Sequence, residues 1–176
     1  MRPLRNYKEM IARHRLQVPA LPPPPATSAE IFRHQVMRRA IDILWGAMGS
    51  TGYSWIGFYE LAADQKEMVL LCREPKPACS PIGLHGMCGK SLKERRPIIV
   101  GNVESLGSNY IACDPKDKSE LVIPLIDASG GCRAVIDLDS YDVESFDASD
   151  VNGVTSLLIA LGLTPPSALA LEPLRL

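Results

Sequence analysis

Apolar positions divide the chain into a short series of elements. Ile31, Phe32, Val36, Ile41, Leu44, Trp45 and Met48 recur at the intervals of one buried helix face. Thr27 and Glu30 have capping-box spacing ahead of them and Gly46, Gly49 and Gly52 follow, which predicts a helix from about residue 28 to residue 48. Tyr53 to Leu61 alternates and is rich in aromatics, so it reads as a strand, with Lys66 to Cys72 as its return across the A-A-D-Q-K turn. Three prolines and two glycines between Arg73 and Gly86 demand a loop. Met87 to Arg95 can form a short helix and Pro97 to Val100 a short strand, followed by a second long loop from Gly101 to Ala112. Beyond it, E-L-V-I-P-L-I-D, A-S-G-G and C-R-A-V-I-D-L-D-S spell a hairpin, with Pro124 implying an edge position or a bulge. Asp147 and Asp150 open a final helix carrying Val151, Val154, Leu157, Leu158 and Leu161 on one face, and Gly162 stops it.

This order predicts an α+β fold, a single domain over residues 27–163 with a central, largely antiparallel sheet and helices packed mainly on one face. The opposite face, or the loops that cross it, is left for a pocket. Residues 1–26 end on a proline run that favours extended polyproline II, and are expected to form an arm and linker outside the core. Residues 164–176, with Pro165, Pro166 and Pro173, are expected to form a loosely held tail.

Charge adds mainly exclusions. Charged residues make up 22% and the formal net charge is -1, so there is no basic excess to hold nucleic acid and no polybasic segment for an anionic membrane. No apolar run approaches the roughly 20 residues needed to span a bilayer, and the N-terminus lacks the apolar segment of a secretory signal. A cytoplasmic location is therefore expected. Five cysteines in that compartment point to reduced, catalytic or metal-bound thiols rather than a disulfide framework. No C-x-x-C pair occurs and His14, His34 and His85 make no H-x(3-5)-H set, so no structural metal site is expected.

Candidate chemistry lies between Cys79 and Asp139. Cys72 and Cys132 fall in strand patterns and read as small core residues. Cys79, Cys88 and Cys113 fall in loops or at a helix start, where packing does not require them. Cys88, in H-G-M-C-G, stands where a helix dipole favours a thiolate; Cys113 has Lys116 and Lys118 nearby but also Asp114. Asp137 and Asp139 share one strand face by period two, and Glu120 opens the preceding strand. Ionised carboxylates raise the pKa of a neighbouring thiol. Their presence makes sense if the substrate is cationic, or if one stays protonated and serves as a general acid. A second cysteine that captures the oxidised first one completes a cycle from thiol through sulfenic acid to disulfide. Dithiol redox chemistry on a small polar ligand is the implied activity.

At these residues the chain resembles the free methionine-(R)-sulfoxide reductases, a branch of the GAF domains. W-I-G-F-Y at 55–59, K-P-A-C at 76–79, M-C-G at 87–89, I-A-C-D at 111–114, S-E-L-V-I-P-L at 119–125, A-V-I-D-L-D-S at 134–140 and F-D-A-S-D at 146–150 occur in order. The resemblance implies reduction of free methionine-(R)-sulfoxide to methionine without a bound cofactor, with thioredoxin or a similar dithiol as reductant and partner. Cys113 would be the nucleophile and Cys79 the resolving thiol, with Cys88 as an alternative or second partner. Glu120, Asp137 and Asp139 would hold the substrate ammonium and protonate the departing oxygen, while Trp55 and Tyr59 pack on the S-methyl end. The alternatives are a GAF domain that only binds a small molecule as a sensor, and a redox-sensing interaction module. A homodimer is compatible with such a fold, although the sequence offers no self-complementary patch.

Overall fold

Seven strands form one sheet in the computed structural model, which describes residues 4–17, 29–109 and 113–176. They are β1 (Trp55–Leu61), β2 (Glu67–Glu74), β3 (Ile82–Gly83), β4 (Ile98–Val100), β5 (Ser119–Ile126), β6 (Cys132–Ser140) and β7 (Leu174–Arg175). Their order is β3-β2-β1-β6-β5-β4-β7, antiparallel throughout except for the parallel pair β4 and β7. The hairpin of β5 and β6 was legible in the sequence, and Pro124 shows how its position is tolerated. It pairs with Val135 on β6, but β4 pairs β5 only at residues 120–122, so no neighbour on that side requires the missing N–H.

Period-two alternation separates two apolar layers. Ile56 and Phe58, Leu121, Ile123 and Leu125, and Ala134, Ile136 and Leu138 face the main core. There they meet α2 (Ala29–Met48) through Met37, Ala40, Ile41, Leu44 and Met48, and α4 (Ala148–Ala160) through Val151, Val154, Leu157 and Leu158. The other face packs Tyr59, Val122 and Val135 against α3 (Met87–Glu94) and the loops around it, in a smaller cluster that includes Met68, Ile82 and Leu92. Helices thus cover mainly one face, as the pattern predicts.

Three expectations are corrected. Within the expected arm of residues 1–26, the described residues 4–17 are not outside the core, because α1 (Tyr7–Gln17) buries Tyr7 and Met10 in the main cluster. Asn6 caps it, accepting from Glu9 N at 3.1 Å while its amide donates to Glu9 at 3.0 Å. Arg5 is 8% exposed; it donates to the carbonyls of Thr51 and Ser145 and to Asp150, and lies over the rings of Tyr53 and Phe146. The C-terminal residues are held as well: a 3-10 turn at Pro166–Ala170 precedes β7, and Leu176 N donates to Ile99 O at 2.9 Å. The second long loop contains a 3-10 stretch at Val103–Asn109. The proline run at 22–25 and the expected cap at Thr27 lie outside the described residues.

Candidate active site

The register of three adjacent strands assembles the candidate residues. Trp55 of β1 pairs with Asp139 of β6, which pairs with Glu120 of β5; in the next row Gly57 pairs with Asp137, which pairs with Val122. Trp55, Tyr59, Glu120, Asp137 and Asp139 therefore share the face opposite the main core. A slip of one residue would turn them all away. Gly57 makes room for this arrangement: a Cβ there would fall 2.1 Å from the Trp55 indole. The indole lies 6.0 Å from the Tyr59 ring, centroid to centroid.

Two loops close the site. In the first, Trp55 Nε1 donates to Lys76 O at 2.9 Å and the Tyr59 hydroxyl to Cys79 O at 2.8 Å, so the polar tips of both aromatics hold the K-P-A-C segment. The second carries Cys113, Asp114 and Asp117; Ser54 Oγ donates to Asp117 at 2.7 Å, and Lys118 N to Ser140 O at 2.8 Å. Cys79 lies near enough to Cys113 for its side chain and backbone to bear on the Cys113 thiol; both cysteines are exposed, and neither is in a disulfide. Between the loops and the sheet lies a cavity of about 160 Å³ lined by Trp55, Tyr59, Cys113, Glu120, Asp137 and Asp139, with Lys76 and Asp117 at its sides. It is smaller than the roughly 300–1,000 Å³ of drug-sized sites and suits an amino acid. Behind it a space of about 30 Å³ is shared by Cys88, Cys113, Glu120 and Asp137.

Electrostatically the site is a row of carboxyls, and among the described residues Lys76 is the one cation lining the cavity. Burial pushes Glu120, Asp137 and Asp139 well above the usual carboxyl range, and repulsion among them adds to it. Glu120 Oε2 and Asp137 Oδ1 have no partner among the described residues, which leaves acceptors for an incoming cation. The Cys88 prediction is corrected here. Cys88 does open α3, but it is 4% exposed, donates to Asp137 Oδ2 at 3.4 Å, and is pushed up by burial and by Asp137 rather than lowered by the helix. Cys113 is raised to about 12, first by desolvation and then by its contact with Cys79. Cys72 and Cys132 are half-buried against opposite faces of the sheet, away from this cavity.

Sequence reasoning missed Asp117, which is buried, lines the cavity and is itself raised by desolvation. It also missed Lys76 as a lining residue. The D-P-K-D-K string gave no signal to separate Asp117 from a solvated turn.

The GAF domain family matches residues 31–162. A Zymomonas mobilis protein is 35% identical over 127 residues, covering 72% of this chain and 76% of its own. Free methionine-R-sulfoxide reductase of Saccharomyces cerevisiae is 34% identical over 118 residues, and the chain spans 65% of that relative's length, just under two thirds. Among solved structures, free methionine-R-sulfoxide reductase from Neisseria meningitidis in complex with its substrate superimposes with a TM-score of 0.71 at 26% identity, covering 88% of this chain and 85% of that one.

Proposed function

The chain belongs to the GAF domain family, and on that premise we propose that it reduces free methionine-(R)-sulfoxide to methionine through a cysteine nucleophile. The observation that carries the reading is the Cys113 thiol, with Cys79 near it, lining an amino-acid-sized cavity together with three carboxyls. The kinship with proteins named for this activity supports the substrate.

At rest burial favours the protonated thiol and carboxyls, and the proximity of the carboxyls to one another adds to it. A substrate ammonium changes both, because a cation beside the row favours ionisation of one carboxyl and lowers the thiol pKa. A remaining neutral carboxyl donates its proton to the sulfoxide oxygen, which makes the sulfur electrophilic. The Cys113 sulfur attacks, the oxygen passes to it, and methionine leaves with Cys113 as the sulfenic acid. The Cys79 thiol then attacks that sulfur: the S–S bond forms, the S–O bond breaks and water departs. A thioredoxin-type dithiol regenerates both thiols, and no bound cofactor takes part. Cys79 serves as resolving thiol because it is near Cys113 and exposed, whereas Cys88 is buried and orients Asp137 through its hydrogen bond. Trp55 and Tyr59 form the wall for the S-methyl group.

The test is incubation with each epimer of free methionine sulfoxide and a dithiol. Methionine is expected from the R epimer alone, and Cys113→Ser abolishes it. Tight binding of a small molecule with no methionine from either epimer would favour a sensor instead.

A further inference from the structure

The two cysteine loops are each fastened to the sheet by their own hydrogen bonds, yet a reactive pair also requires the loops to hold register with one another. Lys76 stands three residues before Cys79, and Asp114 directly follows Cys113. Their side chains form an ion pair between the loops. Tyr141, just past β6, completes it: its hydroxyl donates to Asp114 Oδ2 at 3.0 Å and accepts from Lys76 Nζ at 2.9 Å, with Nζ 5.4 Å from the ring centroid. The other carboxylate oxygen of Asp114 accepts from Lys116 N at 3.0 Å, which holds that side chain toward Lys76. Lys76 is the one cation lining the outer cavity among the described residues, and these partners already engage it.

We propose that the Lys76–Asp114 pair, seated on Tyr141, is a latch that holds the Cys79 loop against the Cys113 loop and so speeds closure of their disulfide. Lys76 is then a positioning residue, acting through the placement of Cys79. The proposal rests on the assignment of Cys113 as the oxidised thiol and Cys79 as its resolver. It does not depend on the sulfoxide, since any oxidant that yields the sulfenic acid reports it. With hydrogen peroxide, the Cys113 thiol takes one peroxide oxygen and water leaves; Cys79 then displaces the sulfenic hydroxyl as a second water while the S–S bond forms.

The experiment oxidises the reduced protein with peroxide in the presence of dimedone. Mass spectrometry then measures how the Cys113 sulfenic acid divides between dimedone adduct and Cys79–Cys113 disulfide. This ratio is independent of how fast the sulfenic acid forms. Lys76→Met should raise adduct over disulfide by about two- to fivefold, the worth of a partly exposed ion pair, and Lys76→Arg should restore most of the wild-type ratio. High salt should move wild type toward the Lys76→Met ratio and leave Lys76→Met itself unmoved, because the pair is open to screening. An unchanged ratio in Lys76→Met with the unfolding midpoint preserved would overturn the latch. So would a wild-type ratio indifferent to salt, which needs no variant. A disulfide through Cys88 instead of Cys79 would overturn the assignment beneath it, whatever the sulfoxide assay shows.

Discussion

At the scale of single residues, the site holds a conflict between stability and activity that can be measured. Glu120 stands directly opposite Asp139, and Asp137 lies one row away on the same face. Like charges so placed are unfavourable, and burial adds to the cost. These carboxyls have folded-state values above those of the unfolded chain, so between the two the native state binds more protons and stability falls as pH rises. Their contribution is complete below the ordinary carboxyl range and is lost on climbing from there toward the raised values. Asp139→Asn should therefore flatten the decline in urea-unfolding free energy between mildly acidic and mildly alkaline pH, while lowering methionine formation. An equal decline in wild type and variant would contradict this. Gly57 gives a second test: a methyl there meets the Trp55 indole. Gly57→Ala should cost about 1–3 kcal/mol and raise KM more than it lowers kcat, as the wall is displaced while Cys113 stays in place.

Among the elements, the amino-terminal helix has the most to teach. Its sequence is charged and ends toward a proline run, which suggested an arm; yet N-Y-K-E supplies an N-cap, and Tyr7, Met10 and Ile11 have helical spacing. A buried arginine gave no apolar signal at all. Arg5 is anchored by Asp150, which also accepts from the Tyr7 hydroxyl at 2.7 Å and completes the capping box of α4. Asp150→Ala leaves that guanidinium without its counter-charge, and should lower unfolding free energy by about 3–5 kcal/mol. The Tyr7 ring lies against Gly153, where a Cβ would fall 2.1 Å from it. Gly153→Ala should loosen α1 selectively, seen as faster amide exchange over residues 7–17 with the sheet still protected. Equal exchange in both proteins would mean that α1 contributes little to the native state.

For the molecule as a whole, the strands and the long helices were legible because each buries one face and carries its period in the residues themselves. Asp137 and Asp139 could be paired from period two alone, but their meeting with Glu120, Trp55 and Tyr59 depends on strand register, which no local pattern states. Cys79 and Cys113 lie far apart in sequence, and their proximity depends on two loops crossing one face. Asp117 escaped notice because a buried acid and an exposed one read alike in a turn, and Lys76 because nothing local tells a lysine at a cavity wall from one in solvent. The most direct measurement of the account is a single turnover without external reductant: fully reduced protein mixed with excess free methionine-(R)-sulfoxide, then methionine quantified and the disulfide mapped by peptide mass. One equivalent of methionine and a Cys79–Cys113 bridge are expected. No methionine, or a bridge through Cys72 or Cys132, would contradict it.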